Sequence, residues 1–194
     1  MKVKVKVNLL SRLEIKKKYY EIFNSKIDIP QYIGNEKIFS GMKHPIYTNK
    51  KIIGSWHEGS EKDIQKAINS SLSVYWSNIS WTDRAYLFLK AADLISGPYR
   101  SIINAATIRC KYNFNVCELI FSLRFNVFYT NKIFNKQPRL GFVVARTPFN
   151  IALPALMGNV VLWIPSEKQL YYAYVLMEIF KKSGFPDGII NCSF

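Results

Sequence analysis

The chain has 194 residues, a net charge of +14 and 49% hydrophobic residues, which suits one ordinary globular domain. The apolar content excludes a disordered chain, and only 9 glycines and 8 prolines exclude a collagen-like one. The most apolar stretch, residues 151–165, is too short to cross a bilayer and contains Pro154, Gly158 and Asn159, so we expect no integral membrane segment.

Residues 1–20 are strongly basic, with seven basic residues and one acidic residue. We expect a weakly organised tail here, because lysine alternates with valine over residues 2–7 in an exposed strand pattern. A basic tail can indicate a nucleic acid, an anionic membrane or an import signal, but a general lysine bias explains the charge without any partner. We expect no nucleic-acid partner, because no basic stripe with interleaved aromatic residues follows.

Residues 28–56 have the hydrophobic spacing of short strands around a turn at Gly34 and Asn35. His44 and His57 are isolated in this region and lack the spacing of paired metal ligands. We therefore expect both histidines to be surface or packing residues, and we expect no metal site.

A helical layer is predicted from Ser60 onward. Ser60 and Asp63 resemble a capping pair, and the first helix then has a predicted apolar face of Ile64, Ala67, Ile68, Leu72 and Tyr75. The second helix is predicted over Thr82–Ile95, with Thr82 as N-cap and an apolar face of Ala85, Phe88, Leu89, Ala92 and Ile95. A third helix is expected after Pro98 and a fourth over Val116–Tyr129.

The pattern changes after Pro138 to that of an α/β fold. Two buried strands are predicted, at Leu140–Ala145 and Gly158–Pro165, and a third at Gly188–Phe194. Between the second and third strands, Ser166 and Gln169 form a capping box for a helix that ends at Ser183 and Gly184. The order indicates the start of a parallel Rossmann-like sheet that is incomplete.

We divide the chain into a basic tail (1–20), an extended and helical segment (21–137) and a partial α/β domain (138–194). Cys110, Cys117 and Cys192 are an odd set without CxxC spacing, so we expect buried, structural thiols in a reducing compartment. No glycine-rich phosphate loop or nucleophile elbow occurs in the sequence.

Two segments at predicted strand ends are candidates for chemistry. Thr147–Asn150 follows the first buried strand, and the Asn150 amide suits stabilisation of an oxyanion. Ser166 and Glu167 follow the second strand, where a carboxylate could accept hydrogen bonds from ribose hydroxyls. Asn150 as a turn residue and Glu167 as a helix-start acid are the alternatives.

Five segments resemble the aldehyde dehydrogenase superfamily and, more narrowly, its delta-1-pyrroline-5-carboxylate dehydrogenase subfamily. They are DRAYLFLKAADLISGPYR (83–100), SLRFNVFY (122–129), TPFN (147–150), PALMGNVVLWIPSE (154–167) and GFPDGII (184–190). The resemblance spans about residues 20–194 and implies the amino-terminal helical layer and the first part of the NAD-binding domain.

The resemblance implies NAD-dependent oxidation of glutamate semialdehyde to glutamate through a cysteine thiolate. It assigns Asn150 to the oxyanion hole and places Thr147, Pro148, Phe149, Ser166 and Glu167 at the NAD site. The lysine that precedes Pro-Ser-acid in the family is Ile164 here.

The family's nucleophilic cysteine and general-base glutamate match no residue of this chain, so we expect it to be inactive alone. The alternatives are a non-catalytic module that pairs with a full-length dehydrogenase, and a decayed gene product. By resemblance, the partners are an aldehyde substrate and a homo- or hetero-oligomer. The resemblance also implies a location in the mitochondrial matrix, with the cytoplasm as the alternative.

Overall fold

The structure is a computed structural model that describes residues 9–48, 51–109, 115–133, 141–147 and 151–194. The helices are α1 (Leu9–Asn24), α2 (Glu61–Ser73), α3 (Trp81–Ser96), α4 (Arg100–Arg109), α5 (Val116–Ile133), α6 (Ala152–Leu156) and α7 (Leu170–Ser183). The strands are β1 (Ile27–Ile29), β2 (Gln31–Ile33), β3 (Glu36–Ile38), β4 (Lys43–Thr48), β5 (Lys51–His57), β6 (Phe142–Ala145), β7 (Val160–Trp163) and β8 (Ile190–Cys192). The class is mixed α/β, as the sequence predicted.

The larger sheet has five strands in the order β3-β2-β8-β7-β6. β6, β7 and β8 are parallel, which confirms the predicted parallel arrangement. No local sequence pattern indicated that β2 pairs with β8 in the antiparallel sense and that β3 pairs with β2. All three residues of β2 are buried, so this hairpin belongs to the core.

Helix α7 connects β7 to β8 and packs against the outer helices α3 and α4. It is buried on nearly every side, which explains its high content of aliphatic and aromatic residues. Gly184 ends the helix in the left-handed conformation, φ 93°, as the Ser-Gly-Phe-Pro sequence predicted.

The expectation of a weakly organised tail over residues 1–20 is wrong from Leu9 onward, because α1 begins there. Helix α1 packs on α4, buries Ile22 and stacks Tyr19 on Phe23 at 5.9 Å between ring centroids. Because lysines occupy many positions of this segment, its sequence pattern did not indicate these apolar contacts. Residues 1–8 lie outside the described residues.

The predicted apolar face of α2 is wrong except at Ala67, which is buried. Asp63, Ala67 and Ser71 are the buried residues, whereas Leu72 and Tyr75 are 70% and 76% exposed. Polar contacts turn this small and polar face inward, since the Ser71 hydroxyl accepts a hydrogen bond from the Asn191 amide of β8 at 2.9 Å.

Helix α3 begins one residue earlier than predicted, because Ser80 rather than Thr82 caps it. The Ser80 hydroxyl accepts from the Asp83 backbone amide at 3.1 Å. Leu89, predicted to be on the apolar face, is 38% exposed. The remaining predicted positions of that face are buried.

The smaller sheet has the order β1-β5-β4 and contains both histidines. This sheet and the β2–β3 hairpin confirm the predicted strands over residues 28–56. His57 Nε2 lies 3.2 Å from a carboxylate oxygen of Asp28, and His44 Nε2 lies 2.7 Å from one of Glu58. Both histidines therefore make local carboxylate contacts.

The capping box of α2 makes a pH-dependent contribution to stability. The Asp63 carboxylate accepts from the Ser60 backbone amide at 3.0 Å and from the Ser60 hydroxyl at 2.7 Å. Burial alone would raise the pKa of Asp63, but these bonds and those from Gln31 and Ser40 hold it below its ordinary value. The ionised form thus stabilises the folded state above the pKa of the unfolded chain, and this contribution is lost as the pH falls through the folded pKa.

We expect Asp63→Asn to lower the free energy of unfolding by about 1 kcal/mol at neutral pH, and by less in acid. Urea unfolding across the acid range measures this difference. Asp187→Asn, at an exposed residue with a 3.6 Å ion pair to Lys181, is the control and should change stability little. A difference at Asp63 that does not depend on pH would contradict the assignment.

Candidate functional site

The carboxyl ends of the three parallel strands lie level with one another. Ala145 of β6 pairs with Trp163 of β7, and Trp163 pairs with Cys192 of β8. The segments that follow these residues therefore leave the sheet at one edge, where α/β proteins bind their ligands. This edge is the candidate site.

Thr147 is held at this edge by the neighbouring strand. The fully buried Trp163 indole donates to the Thr147 carbonyl oxygen at 2.7 Å. The backbone amide of Ile164 also donates to the Ala145 carbonyl oxygen at 2.9 Å. These two bonds fix the start of the segment after β6 beside the end of β7. Pro148, Phe149 and Asn150, the other predicted site residues of this segment, lie outside the described residues.

Ser166 and Glu167 occupy the same edge at the end of β7. The Ser166 backbone amide and hydroxyl both donate to the Gln169 side-chain oxygen, at 3.2 and 3.0 Å, which confirms the predicted capping box. A single 3-10 turn, Glu167–Gln169, then leads into α7. Ser166 and Glu167 are exposed, whereas Gln169 is buried. The Glu167 carboxylate is thus exposed to solvent at the start of a helix, where backbone amides favour a negative charge.

Ile164 precedes this capping box in place of the lysine that the resemblance leads one to expect. It is partly buried and packs against a cluster of Ile33, Ala67 and Leu162. Its role is therefore packing between the sheet and α2, and it offers no cationic group to a ligand.

The end of β8 is closed by the N-terminal hairpin. The Ser193 hydroxyl donates to the Gln31 side-chain oxygen at 2.8 Å, and the Gly59 amide donates to the Phe194 carbonyl oxygen at 2.9 Å. These two contacts tie the residues that follow β8 to β2 and to the segment before α2. No sequence pattern indicated this closure, because the contacts join residues far apart in the chain.

The two cysteines that the structure describes differ in solvent exposure. Cys192 is fully buried, and burial raises the pKa of its thiol well above the ordinary value, so it is a poor nucleophile at neutral pH. Cys117 is exposed and its sulfur accepts from the Arg100 guanidinium at 3.0 Å, so the expectation that it is buried is wrong. It lies at the start of α5, where the preceding sequence looked apolar. Cys110 lies outside the described residues.

Within the described ranges, no group of three or more histidine, cysteine, aspartate or glutamate side chains is placed to hold a metal ion. The helices of the same ranges include none with both the length and the hydropathy needed to span a membrane.

Comparison with known proteins identifies relatives for this arrangement. Residues 126–193, which include all three parallel strands, match the aldehyde dehydrogenase family. A probable delta-1-pyrroline-5-carboxylate dehydrogenase of Schizosaccharomyces pombe is 31% identical over 95% of this chain and 40% of its own length. The mitochondrial delta-1-pyrroline-5-carboxylate dehydrogenase of Homo sapiens is 31% identical over 84% of this chain and 35% of its own length.

A crystal structure of the Mycobacterium tuberculosis delta-pyrroline-5-carboxylate dehydrogenase bound with NAD has the same fold. It superposes with a TM-score of 0.83 and 30% identity over 94% of this chain and 41% of the other. The chain thus spans well under half the length of these relatives. It resembles one part of the proteins of the aldehyde dehydrogenase family.

Proposed function

We propose that this chain supplies the part of a glutamate-semialdehyde dehydrogenase fold that receives the adenosine end of NAD. The observation that carries the proposal is the alignment of Ala145, Trp163 and Cys192, which brings Thr147, Ser166 and Glu167 to one sheet edge. The similarity to a dehydrogenase solved with NAD supports the choice of ligand.

The described residues fit this ligand. NAD, when bound, supplies the acceptor of a hydride. The exposed Glu167 carboxylate can accept hydrogen bonds from ribose hydroxyls, and the amides at the start of the helical turn can face a phosphate. Thr147, held by the Trp163 indole, can border the ligand on the β6 side. Ile164 contributes no charge, so we expect weaker binding than a lysine there would allow.

We also propose that the 194-residue chain does not oxidise aldehydes by itself. Covalent oxidation of an aldehyde needs a reactive thiolate and a general base at the bound cofactor. Cys192 ends a strand at the edge but is buried, and its raised pKa keeps it protonated. An oxyanion donor such as Asn150, if it acts as the resemblance implies, cannot replace the missing nucleophile.

We expect the purified chain to form no NADH from glutamate semialdehyde and NAD above the rate without protein. Absorbance of NADH measures this, and a full-length dehydrogenase of the subfamily serves as the positive control. Turnover that follows the concentration of the chain would overturn the proposal of inactivity, while leaving the NAD-binding proposal intact.

The exposed end strand of the larger sheet supports a second candidate function, a non-catalytic module that pairs with a full-length dehydrogenase. Among the strands that the structure describes, β6 is the last on its side of the sheet, and its Val144 is 55% exposed. Such an edge offers unpaired backbone groups to another strand. Co-purification with a full-length dehydrogenase that is lost in Val144→Pro, but kept in an exposed-loop control such as Met42→Ser, would favour this candidate.

The mitochondrial matrix is the compartment we propose, since the human relative is described as mitochondrial. The alternative is the cytoplasm. Imaging of the tagged full chain against a matrix marker distinguishes these compartments.

A further inference from the structure

Helix α5 carries an exposed aromatic stripe, on which the described contact from a charged group is that of Lys132 Nζ, 4.4 Å from the centroid of the Phe128 ring. Phe121, Phe125, Phe128 and Tyr129 are 67%, 45%, 58% and 43% exposed. The Phe121 and Phe125 rings stack with centroids 5.6 Å apart, and those of Phe125 and Tyr129 stack at 6.0 Å. The largest apolar patch on a soluble monomer is typically about 300–600 Å² and is often a functional surface.

The stripe has the spacing of a helix–helix seam. Glu118, Phe121, Phe125, Phe128 and Lys132 follow one another at alternating intervals of three and four residues. At about 100° per residue, they all lie within about 60° of Phe125 around the helix axis. The opposite face of α5, which includes Leu119 and Leu123, is buried in the chain's own core.

The ends of the stripe carry opposite charges in a symmetric arrangement. Glu118 and Lys132 are both exposed, and each lies seven residues from Phe125. Phe121 and Tyr129 each lie four residues from it. An antiparallel copy of α5 crossing at Phe125 would therefore place Glu118 opposite Lys132 and Phe121 opposite Tyr129. A parallel copy would oppose like charges at both ends.

We propose that this stripe is a self-association surface, on which α5 of a second copy packs antiparallel about a two-fold axis at Phe125. Each copy then contributes the same patch to the interface, as two-fold symmetry requires. Taking about 200 Å² for each aromatic side chain, four half-exposed rings offer about 400 Å² per copy. The pair would bury about 800–1,000 Å², which predicts a weak dimer rather than a permanent one.

The proposal depends neither on NAD binding nor on the edge of β6. It predicts a concentration-dependent monomer–dimer equilibrium of the full chain in sedimentation equilibrium at about 0.15 M salt, where the repulsion from the net charge is screened. Because the buried area is well below that of a standard interface, we expect half-association only in the upper micromolar range.

Phe125→Glu should weaken the dimer at least tenfold, because it opposes two carboxylates at the axis. Tyr47→Glu, at a 63% exposed aromatic residue of β4, is the matched control and should leave the equilibrium unchanged. Circular dichroism checks that each variant is folded.

Charge reversal tests the orientation of the two helices. Glu118→Lys and Lys132→Glu should each weaken association about threefold or more, since two symmetric ion pairs are lost. The double variant should restore it.

Restoration in the double variant supports the antiparallel geometry. The proposal is overturned by a chain that stays monomeric at every concentration, by equal effects of Phe125→Glu and Tyr47→Glu, or by a stripe that pairs only with a co-expressed full-length dehydrogenase.

Discussion

Arg84→Ala is expected to lower the free energy of unfolding by about 3–5 kcal/mol, a large share of the roughly 5–15 kcal/mol that a domain has. The Arg84 side chain is fully buried, and its Nε donates to the Leu156 carbonyl oxygen at 2.9 Å. Its Nη1 donates to the Ile79 carbonyl oxygen, and the guanidinium lies 5.9 Å from the centroid of the Trp76 ring. Truncation leaves buried carbonyl groups without their donor and opens a cavity.

Urea unfolding followed by circular dichroism measures this loss. Arg124→Ala is the control, because Arg124 is about half exposed and its 2.8 Å ion pair with Asp93 is at the surface. We expect the control to cost less than about 1 kcal/mol. Similar losses of stability in both variants would mean that the hydrogen bond from Arg84 to Leu156 of α6 does not contribute as proposed.

Glu167→Ala should weaken NAD binding about tenfold to a hundredfold. A carboxylate that accepts hydrogen bonds from ribose hydroxyls contributes about 1.5–3 kcal/mol, and alanine removes it entirely. Isothermal titration of the full chain with NAD measures the dissociation constant. AMP should be affected to the same degree, because the proposed contact is with the adenosine half of NAD.

Glu61→Ala is the matched control for this prediction. Glu61 also follows a capping serine, is exposed and opens a helix, but it lies at the start of α2 rather than at the sheet edge. Both variants lose a similar helix-dipole interaction, so a difference in NAD affinity isolates the position. Equal affinities in the two variants would show that Glu167 has no part in binding.

The sequence predicted the parallel strands and the position of Thr147, Ser166 and Glu167 at their carboxyl edge because those features are local. A short valine-rich run and a Ser-x-x-Gln capping box can each be recognised from a few consecutive residues. The structure has β7 and the Ser166 cap at the expected positions. The resemblance added the family and the ligand class, which periodicity alone could not supply.

Long-range contacts explain what the sequence did not predict. β2 joins the larger sheet through Tyr32 and Cys192, which are 160 residues apart, so no local pattern could reveal it. The inward face of α2 was misassigned because Asp63 and Ser71 are buried by partners from other elements. The exposure of the aromatic rings of α5 could not be predicted from the sequence for the same reason, since exposure depends on what packs alongside the helix.

The most direct test of the account is the melting temperature of the purified full chain with and without NAD. At ten times the dissociation constant, a ligand that binds only the folded state adds about 1.4 kcal/mol of stability. For a chain of this size, we predict a rise of about 3–6 °C with NAD and a similar rise with AMP. A cooperative transition that neither ligand shifts would contradict the claim that this sheet edge receives the adenosine end of NAD.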